Sequence, residues 1–162
     1  MATGYIFISP NAGVAPSDSP ALWKRADDTN QDKPVIEYAD GVTENFDFLL
    51  SIPGDWVSGG TLRFAWRGNS ATANAVRWSF ENLERANLEA SDAAFANTDA
   101  ANFANGAATA NIVNIDTQVL TTTGWAANSL LYLRVQRIGA DAGDTFAAAA
   151  QLLWMVLEYT TT

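Results

Sequence analysis

Residues 61–80, "TLRFAWRGNSATANAVRWSF", contain two similar segments, one in each half, in which large apolar residues alternate with small or polar ones. At a period of two, the apolar residues of each half lie on one side of an extended chain. They are Leu62, Phe64 and Trp66 in the first half and Val76, Trp78 and Phe80 in the second. The connector 68–74 is polar, so the pattern predicts an antiparallel hairpin with both tryptophans in the core. Arg63, Arg67 and Arg77 are predicted to lie on the solvent-facing sides.

Short alternating segments of this kind recur along the chain and are separated by turn-forming residues. The clearest are "ENFDFLLSI" at 44–52 and "SLLYLRVQRIG" at 129–139, whereas "LLWMVLEYT" at 152–160 is almost wholly apolar. This last segment is predicted to be a strand that is buried on both faces. About eight to ten short strands and no amphipathic helix predict an all-β fold, an antiparallel β-sandwich of the jelly-roll type.

One region departs from this pattern. Residues 86–110 are rich in Ala, Asn and Asp, with Phe95 and Phe103 as their bulky members after Leu88. Asn, Asp and Thr compete with helical backbone hydrogen bonds, so the stretch is predicted to be one long loop that packs onto the body through its phenylalanines. The predicted organisation is an N-terminal contact segment, 1–20, followed by a single sandwich domain, 21–162.

The composition excludes several kinds of chemistry. The chain has 162 residues, a formal net charge of −9, and neither cysteine nor histidine. Disulfides, thiolate nucleophiles, Cys/His zinc sites and a Ser–His–Asp triad are therefore ruled out. The acidic balance disfavours nucleic-acid binding. No run of about 18 apolar residues predicts a membrane span.

The remaining chemical signals are weak. Asp141 and Asp144 flank a tight turn and could help hold a calcium ion, although such turns need Asp and Gly for conformational reasons as well. Carboxylates on strands leave open a hydrolase with two acidic groups, but solvent-facing acids are the ordinary alternative. We therefore predict no enzyme activity and no cofactor.

Aromatic residues outside the alternating pattern are the candidates for contacts with a partner. Trp23, Trp56 and Trp125 lie near predicted loops, so they suit a carbohydrate platform better than Trp66 or Trp78. The alternative is that such rings cover the open ends of the sandwich. The predicted partner or glycan contacts are Tyr5, Phe7, Trp56, Phe95, Phe103 and Trp125.

The order of several segments gives a resemblance. These segments are "VIEYADG" at 35–41, "IPGDW" at 52–56, the two halves of 61–80, and "LLYLRVQRIGADAGDT" at 130–145. In this order the chain resembles β-sandwich virion proteins of tailed phages, of the head-decoration and fibre type. The resemblance implies a homotrimer that is made in the bacterial cytoplasm and binds a major capsid protein on the capsid surface. The alternative is a receptor- or glycan-binding module of a phage tail or fibre, with a host-surface glycan as partner.

Overall fold

The computed structural model describes residues 1–28, 30–106 and 109–162, and these residues form β-strands joined by turns and loops. One short 3₁₀ helix, Pro10–Ala12, follows the first strand. The strands are β1 Thr3–Ile8, β2 Gly13–Val14, β3 Leu22–Asp27, β4 Asp32–Tyr38, β5 Thr43–Ser51, β6 Trp56–Gly68, β7 Ala75–Arg85, β8 Asn97–Ala104, β9 Val113–Val119, β10 Leu130–Ile138 and β11 Ala150–Thr161.

The strands form two antiparallel sheets that pack face to face. The first sheet has the order β3-β4-β11-β6-β9, with β1 also paired to β11. The second sheet has the order β2-β5-β10-β7-β8. The inner faces of both sheets contribute to one apolar core, as expected for a sandwich. The predicted all-β jelly-roll sandwich is confirmed.

The two tryptophans of the 61–80 stretch lie in this core, as predicted. Trp66 and Trp78 are both fully buried, and their ring centroids lie 6.1 Å apart in an edge-to-face arrangement. The predicted hairpin is wrong, however, because β6 pairs with β11 and β9 whereas β7 pairs with β10 and β8. The connector carries the chain from one sheet to the other, so the two tryptophans meet across the sandwich.

The predicted long loop is also wrong in part. Residues 97–104 form β8, the edge strand that pairs with β7 from Ala75↔Ala104 to Asn82↔Asn97. Phe103 packs edge-to-face against Phe64 at 5.1 Å. Pairing at the edge of a sheet uses backbone hydrogen bonds only. A segment poor in β-branched residues therefore forms a strand where a neighbouring strand offers its backbone donors and acceptors. Ala107 and Ala108, within the predicted loop, lie outside the described residues.

The N-terminal segment contributes to both sheets. β1 runs along β11 from Thr3↔Thr160 to Ile8↔Met155, β2 pairs with β5, and Ile8 is fully buried. A side chain at Gly4 would overlap the ring of Tyr159, so glycine allows β1 to lie close to β11. A role of residues 1–20 in partner contacts stays a prediction.

The final strand does not match the prediction of burial on both faces. From Met155 onward, burial alternates along β11, and Val156 and Glu158 remain partly exposed on the outer side. These side chains share the outer face with Tyr5 and Phe7 of β1 and with Arg63 of β6, and their exposure shows that this face is open to solvent. No helix in the described part of the chain has the length and hydropathy needed to cross a membrane.

Candidate functional site

The six predicted contact residues lie in four separate regions. Tyr5 and Phe7 project from β1 on the outer face of the first sheet, where both are exposed. Phe95 lies beside the second sheet, with the guanidinium of Arg134 4.6 Å from its ring centroid. Phe103 packs against the core. The structure therefore does not bring these residues together in one site, and a contact role for the exposed ones stays a prediction.

Trp56 and Trp125 pack together at one end of the sandwich. Their ring centroids are 6.3 Å apart, and Trp125 is only 7% exposed. The indole nitrogen of Trp125 donates to Oδ1 of buried Asn82 at 2.9 Å. Asn82 in turn donates to the carbonyl of Thr121 at 3.1 Å. This pair matches the alternative interpretation, rings that cover an end of the sandwich, because Trp125 offers little surface to a ligand.

The two acidic residues of the 141–144 turn are engaged by arginines. Asp144 accepts two hydrogen bonds from the fully buried guanidinium of Arg137, at 2.8 and 2.9 Å. Asp141 pairs with Arg77 at 3.3 Å and accepts the amide hydrogen of Gly143 at 2.7 Å. These contacts hold the turn against β7 and β10. No group of three or more His, Cys, Asp or Glu residues suited to a metal ion occurs in the described ranges.

The most exposed tryptophan lies in a hollow at the edge formed by β3. Trp23 is 53% exposed, although it pairs with fully buried Ile36 of β4. Its indole nitrogen donates to Oδ1 of Asn11, in the 3₁₀ helix, at 3.0 Å, which fixes the orientation of the ring. The hollow has a volume of about 220 Å³. Its lining residues are Asn11, Trp23, Arg25, Asp32, Lys33 and Pro34.

Local sequence explains how the strands position this hollow. Trp23 and Arg25 are two residues apart on β3, so they share a face, and Arg25 pairs with Pro34 of β4. Pro34 lies beyond the part of β4 that pairs with β11, where a missing backbone donor costs the first sheet no hydrogen bond to that strand. Arg25 also forms an ion pair with Asp32 at the rim. An aromatic ring, a proline and a charged pair therefore converge on one small concavity.

A polar network anchors the neighbouring connection between β3 and β4. Buried Arg67 donates two hydrogen bonds to Asp28, at 2.8 and 2.9 Å, and Lys33 approaches Asp28 to 2.6 Å. The hydrogen bonds from Arg67 and Lys33 lower the pKa of Asp28 from the usual 3.8 to about 2. Arg67 was predicted to face solvent; it does lie on the outer side of β6, but Asp28 covers it. The network supports the strand ends that carry the hollow.

The same network continues to Glu37. Arg67 donates to Oε1 of Gln151 at 2.7 Å, and Gln151 donates to Glu37 at 2.8 Å. Burial acts to raise the pKa of Glu37, but hydrogen bonds from Lys24 and Gln151 outweigh burial, and the net effect is a lowered pKa. Glu37 is thus held as an ionised, paired group, which suits a structural role better than proton transfer.

The other strand carboxylates do not form a catalytic pair with Glu37. Glu158 lies on the outer face of the first sheet, 3.7 Å from Arg63. Asp47 lies on the outer face of the second sheet and accepts two hydrogen bonds from Arg134. Asp47 and Glu37 lie on opposite outer faces of the sandwich, so they cannot flank one scissile bond. Glu158 shares the outer face of Glu37, but it lies seven residues along β11 from Gln151, the partner of Glu37, which is roughly 23 Å. Asp47 and Glu81 lie together on the outer face of the second sheet, where both carboxylates contact Arg134.

The sequence pointed to only part of the Trp23 hollow. Trp23 stood out as a tryptophan near a loop, but its predicted equivalents Trp56 and Trp125 are packed at the end of the sandwich. Asn11 and Asp32 come from separate elements, and no local motif links them to Trp23. The pairing of β3 with β4 and the position of the 3₁₀ helix bring them together.

Comparisons with known proteins bear on the fold. No protein-family model matches the chain, and no curated protein matches it. Among solved structures, the family 11 carbohydrate-binding module from Clostridium thermocellum, in complex with a β-1,3-1,4-mixed-linked tetrasaccharide, gives a TM-score of 0.53 at 9% identity. That match covers 97% of this chain and 96% of the module. This chain shares the fold of carbohydrate-binding modules.

Two further structures support the same conclusion about the fold. A family 35 carbohydrate-binding module from Clostridium thermocellum gives a TM-score of 0.52 at 9% identity, with 95% of this chain and 97% of the module covered. An arabinose-bound α-L-arabinofuranosidase gives a TM-score of 0.53 at 8% identity over 94% of this chain, which spans only 24% of that enzyme. The identities show a common architecture and no more.

Proposed function

We propose that this chain is a glycan-binding β-sandwich module and that the Trp23 hollow is its binding site. The observation that carries the proposal is the exposed, oriented indole of Trp23 beside Arg25 and Asp32, on a fold shared with carbohydrate-binding modules. Binding sites of this kind combine an apolar wall with a few placed polar groups.

The chemistry of the hollow suits a sugar ring. The flat indole of Trp23 provides apolar surface for the C–H face of a pyranose, and its orientation is already fixed by Asn11. Arg25 donates hydrogen bonds to hydroxyl oxygens, and Asp32 accepts them from hydroxyl hydrogens. A ring fixed before binding loses little conformational entropy when the ligand arrives. The site therefore binds one or two sugar units and requires no catalytic step.

The experiment is a binding titration with a panel of soluble polysaccharides and oligosaccharides, followed by tryptophan fluorescence and by affinity electrophoresis. The first probe is a β-1,3-1,4-mixed-linked oligosaccharide of the kind bound by the family 11 module. Trp23→Ala is expected to weaken binding at least tenfold, equivalent to about 1.4 kcal/mol. The matched control is Leu22→Ala, since Leu22 has similar exposure on the other face of the same strand. Equal binding by Trp23→Ala and wild type, or no binding to any glycan of the panel, would reject the proposal.

The virion role is a separate proposal. The predicted capsid-decoration or head-fibre protein, its homotrimer, its major capsid protein partner and its capsid-surface location rest on the sequence resemblance, and they stay predictions. The glycan proposal is compatible with a virion, where such a module would contact a host-surface glycan. Co-sedimentation of the purified chain with phage capsids that lack it tests attachment independently of sugar binding.

A further inference from the structure

The outer face of the first sheet carries an apolar surface that no part of the described chain covers. Four adjacent strands, β1, β11, β6 and β9, contribute outward side chains to this surface, which we call the apolar face. Phe7 and Val119 are each 68% exposed, Tyr5 is 63% exposed and Ile115 is 57% exposed. The ring of Phe7 stacks on that of Trp154, with 6.5 Å between centroids. Contiguous apolar surface of this kind marks an interaction site.

The chemistry of the apolar face fits a protein partner better than a glycan. Its outward side chains on β9 are the aliphatic residues Val113, Ile115 and Val119 together with the exposed Thr117. This strand provides no flat ring, and the hydroxyl of Thr117 is its one outward hydrogen-bonding side-chain group. The charged side chains that line its central hollow, Arg63 and Glu158, already pair with each other at 3.7 Å. Aromatic and aliphatic contacts around one arginine are typical of the centre of a protein interface.

The charges on the apolar face favour a second copy of this chain as the partner. The chain carries a net charge of −9, but the apolar face is electrically neutral, so two copies meet here without placing like charges together. Arg63 and Glu158 lie side by side, and both are partly exposed. A two-fold axis that lies in the plane of the interface and passes midway between the two side chains, at right angles to the line joining them, sets Arg63 of each copy against Glu158 of the other. Isologous interfaces require this self-complementarity.

The size of the face sets the expected strength. Four strands about 4.8 Å apart, with roughly 20 Å of paired length, give a footprint on the order of 400 Å². Specific interfaces bury about 800 Å² per partner, so the apolar face with its rim suits a weak or moderate association. The hollow of about 460 Å³ beside Tyr5 and Phe7 leaves room for an aromatic ring of the partner.

We propose that the apolar face binds a second copy of this chain, face to face about a two-fold axis. The interface is distinct from the Trp23 hollow, which lies at the edge of the sheet formed by β3. The proposal differs from the homotrimer that the virion resemblance implies, and the molecular mass in solution distinguishes the two.

The first test is sedimentation and light scattering of the full chain from about 1 μM to about 1 mM. We expect a concentration-dependent dimer in wild type and at least tenfold weaker association in Phe7→Arg. The matched control is Leu49→Arg, because Leu49 is 55% exposed on the outer face of the second sheet. Both positions are exposed, so both variants should fold, and circular dichroism verifies this.

The second test uses the charges. Arg63→Glu places only acidic groups at the centre of the apolar face, and Glu158→Arg places only basic ones. Each variant alone is expected to be monomeric, whereas an equal mixture should form a mixed dimer because opposite charges then face each other. A two-fold arrangement that joins Arg63 to Glu158 predicts both the loss in each variant and this rescue, and absence of the rescue would contradict it.

Several outcomes overturn the proposal. A monomer at every concentration, a trimer, or Leu49→Arg weakening association as much as Phe7→Arg would each do so. Loss of glycan binding in Phe7→Arg, with no change in mass, would assign the apolar face to a sugar instead. Failure of Trp23→Ala to affect glycan binding rejects the proposed function alone, since Trp23 is absent from the apolar face.

Discussion

The outer faces of the two sheets are built from strands of similar length, but their side chains differ in the contacts that they make within the chain. On the second sheet, Arg134 donates two hydrogen bonds to Asp47, at 2.7 and 2.8 Å, and the ring of Phe95 packs beside the same guanidinium. On the first sheet, Phe7 and Ile115 are open to solvent around a single loose ion pair.

The difference shows where the molecule has surface left for a partner. On the second sheet, the Arg134–Asp47 pair and the ring of Phe95 cover part of the outer face, whereas Leu49 and Val14 remain exposed there. On the apolar face of the first sheet, Phe7 stacks on Trp154, but Tyr5 and Phe7 remain mostly exposed to solvent and share that face with exposed aliphatic side chains of β9. This contrast is the basis of the proposed interface between two copies.

The largest expected loss of stability comes from breaking an ion pair whose two side chains have no contact with solvent. Asp144→Asn leaves the fully buried charge of Arg137 without its main counterion, so we expect a loss of about 3 kcal/mol in the free energy of unfolding. The control is Glu158→Gln on the apolar face, with an expected loss below about 0.5 kcal/mol. Urea denaturation measures both. Similar losses in the two variants would contradict the assignment of buried and exposed pairs.

The next effect compares the two outer faces directly. Arg134→Ala removes the paired hydrogen bonds to Asp47 and the contact with Phe95, and it should lower the free energy of unfolding by about 1 kcal/mol. Arg63→Ala removes one exposed ion pair and should cost less than about 0.5 kcal/mol. If Arg63→Ala proved the more damaging in dilute protein, the contrast between the faces would be wrong.

The third prediction concerns the covered end of the first sheet, where Asp28 pairs with Arg67. The folded pKa of Asp28, about 2, lies below its usual 3.8. Its contribution to stability is therefore complete above about pH 4 and is lost as the pH falls toward 2. The difference in free energy of unfolding between wild type and Asp28→Asn should shrink across this range. A difference that stays constant from pH 6 to about pH 2 would exclude the linkage.

The smallest effect is expected at Phe7. Phe7→Ser should change the free energy of unfolding of the monomer by less than about 0.5 kcal/mol, because the ring is mostly exposed. Phe95→Ser should cost about 1 kcal/mol, since it removes the contact with Arg134. Denaturation at submicromolar concentration gives the monomer values. A cost at Phe7 equal to that at Phe95 would mean that the stacking of Phe7 on Trp154 stabilises the monomer as much as the contact between Phe95 and Arg134 does.

The sequence predicted much of the core and little of the surface. Burial follows apolar alternation closely at Trp66 and Trp78, because a period of two assigns each side chain to one face. The same rule could not tell which strands pair, so it joined β6 and β7 in a hairpin that does not exist. Pairing depends on long-range contacts that local periodicity does not encode.

The candidate site was less predictable for the same reason. Trp23 carries a local signal, but Asn11, twelve positions earlier, fixes its ring only through the tertiary fold. The apolar face could not be predicted from composition. The apolar run in β11 predicted burial on both sides of the strand, whereas one side is open to solvent beside Phe7. An apolar sequence cannot distinguish a side chain that is covered by its own chain from one that is covered by a partner.

The order of strands has a consequence for how this protein reaches its native state. The central strand of each sheet comes late in the chain: β10 holds β5 to β7 in one, and β11 holds β1, β4 and β6 in the other. Before these two strands dock, the earlier ones form only fragments with open edges. Folding therefore requires long-range pairing, which predicts a slow rate and unpaired strand edges until β10 and β11 have docked.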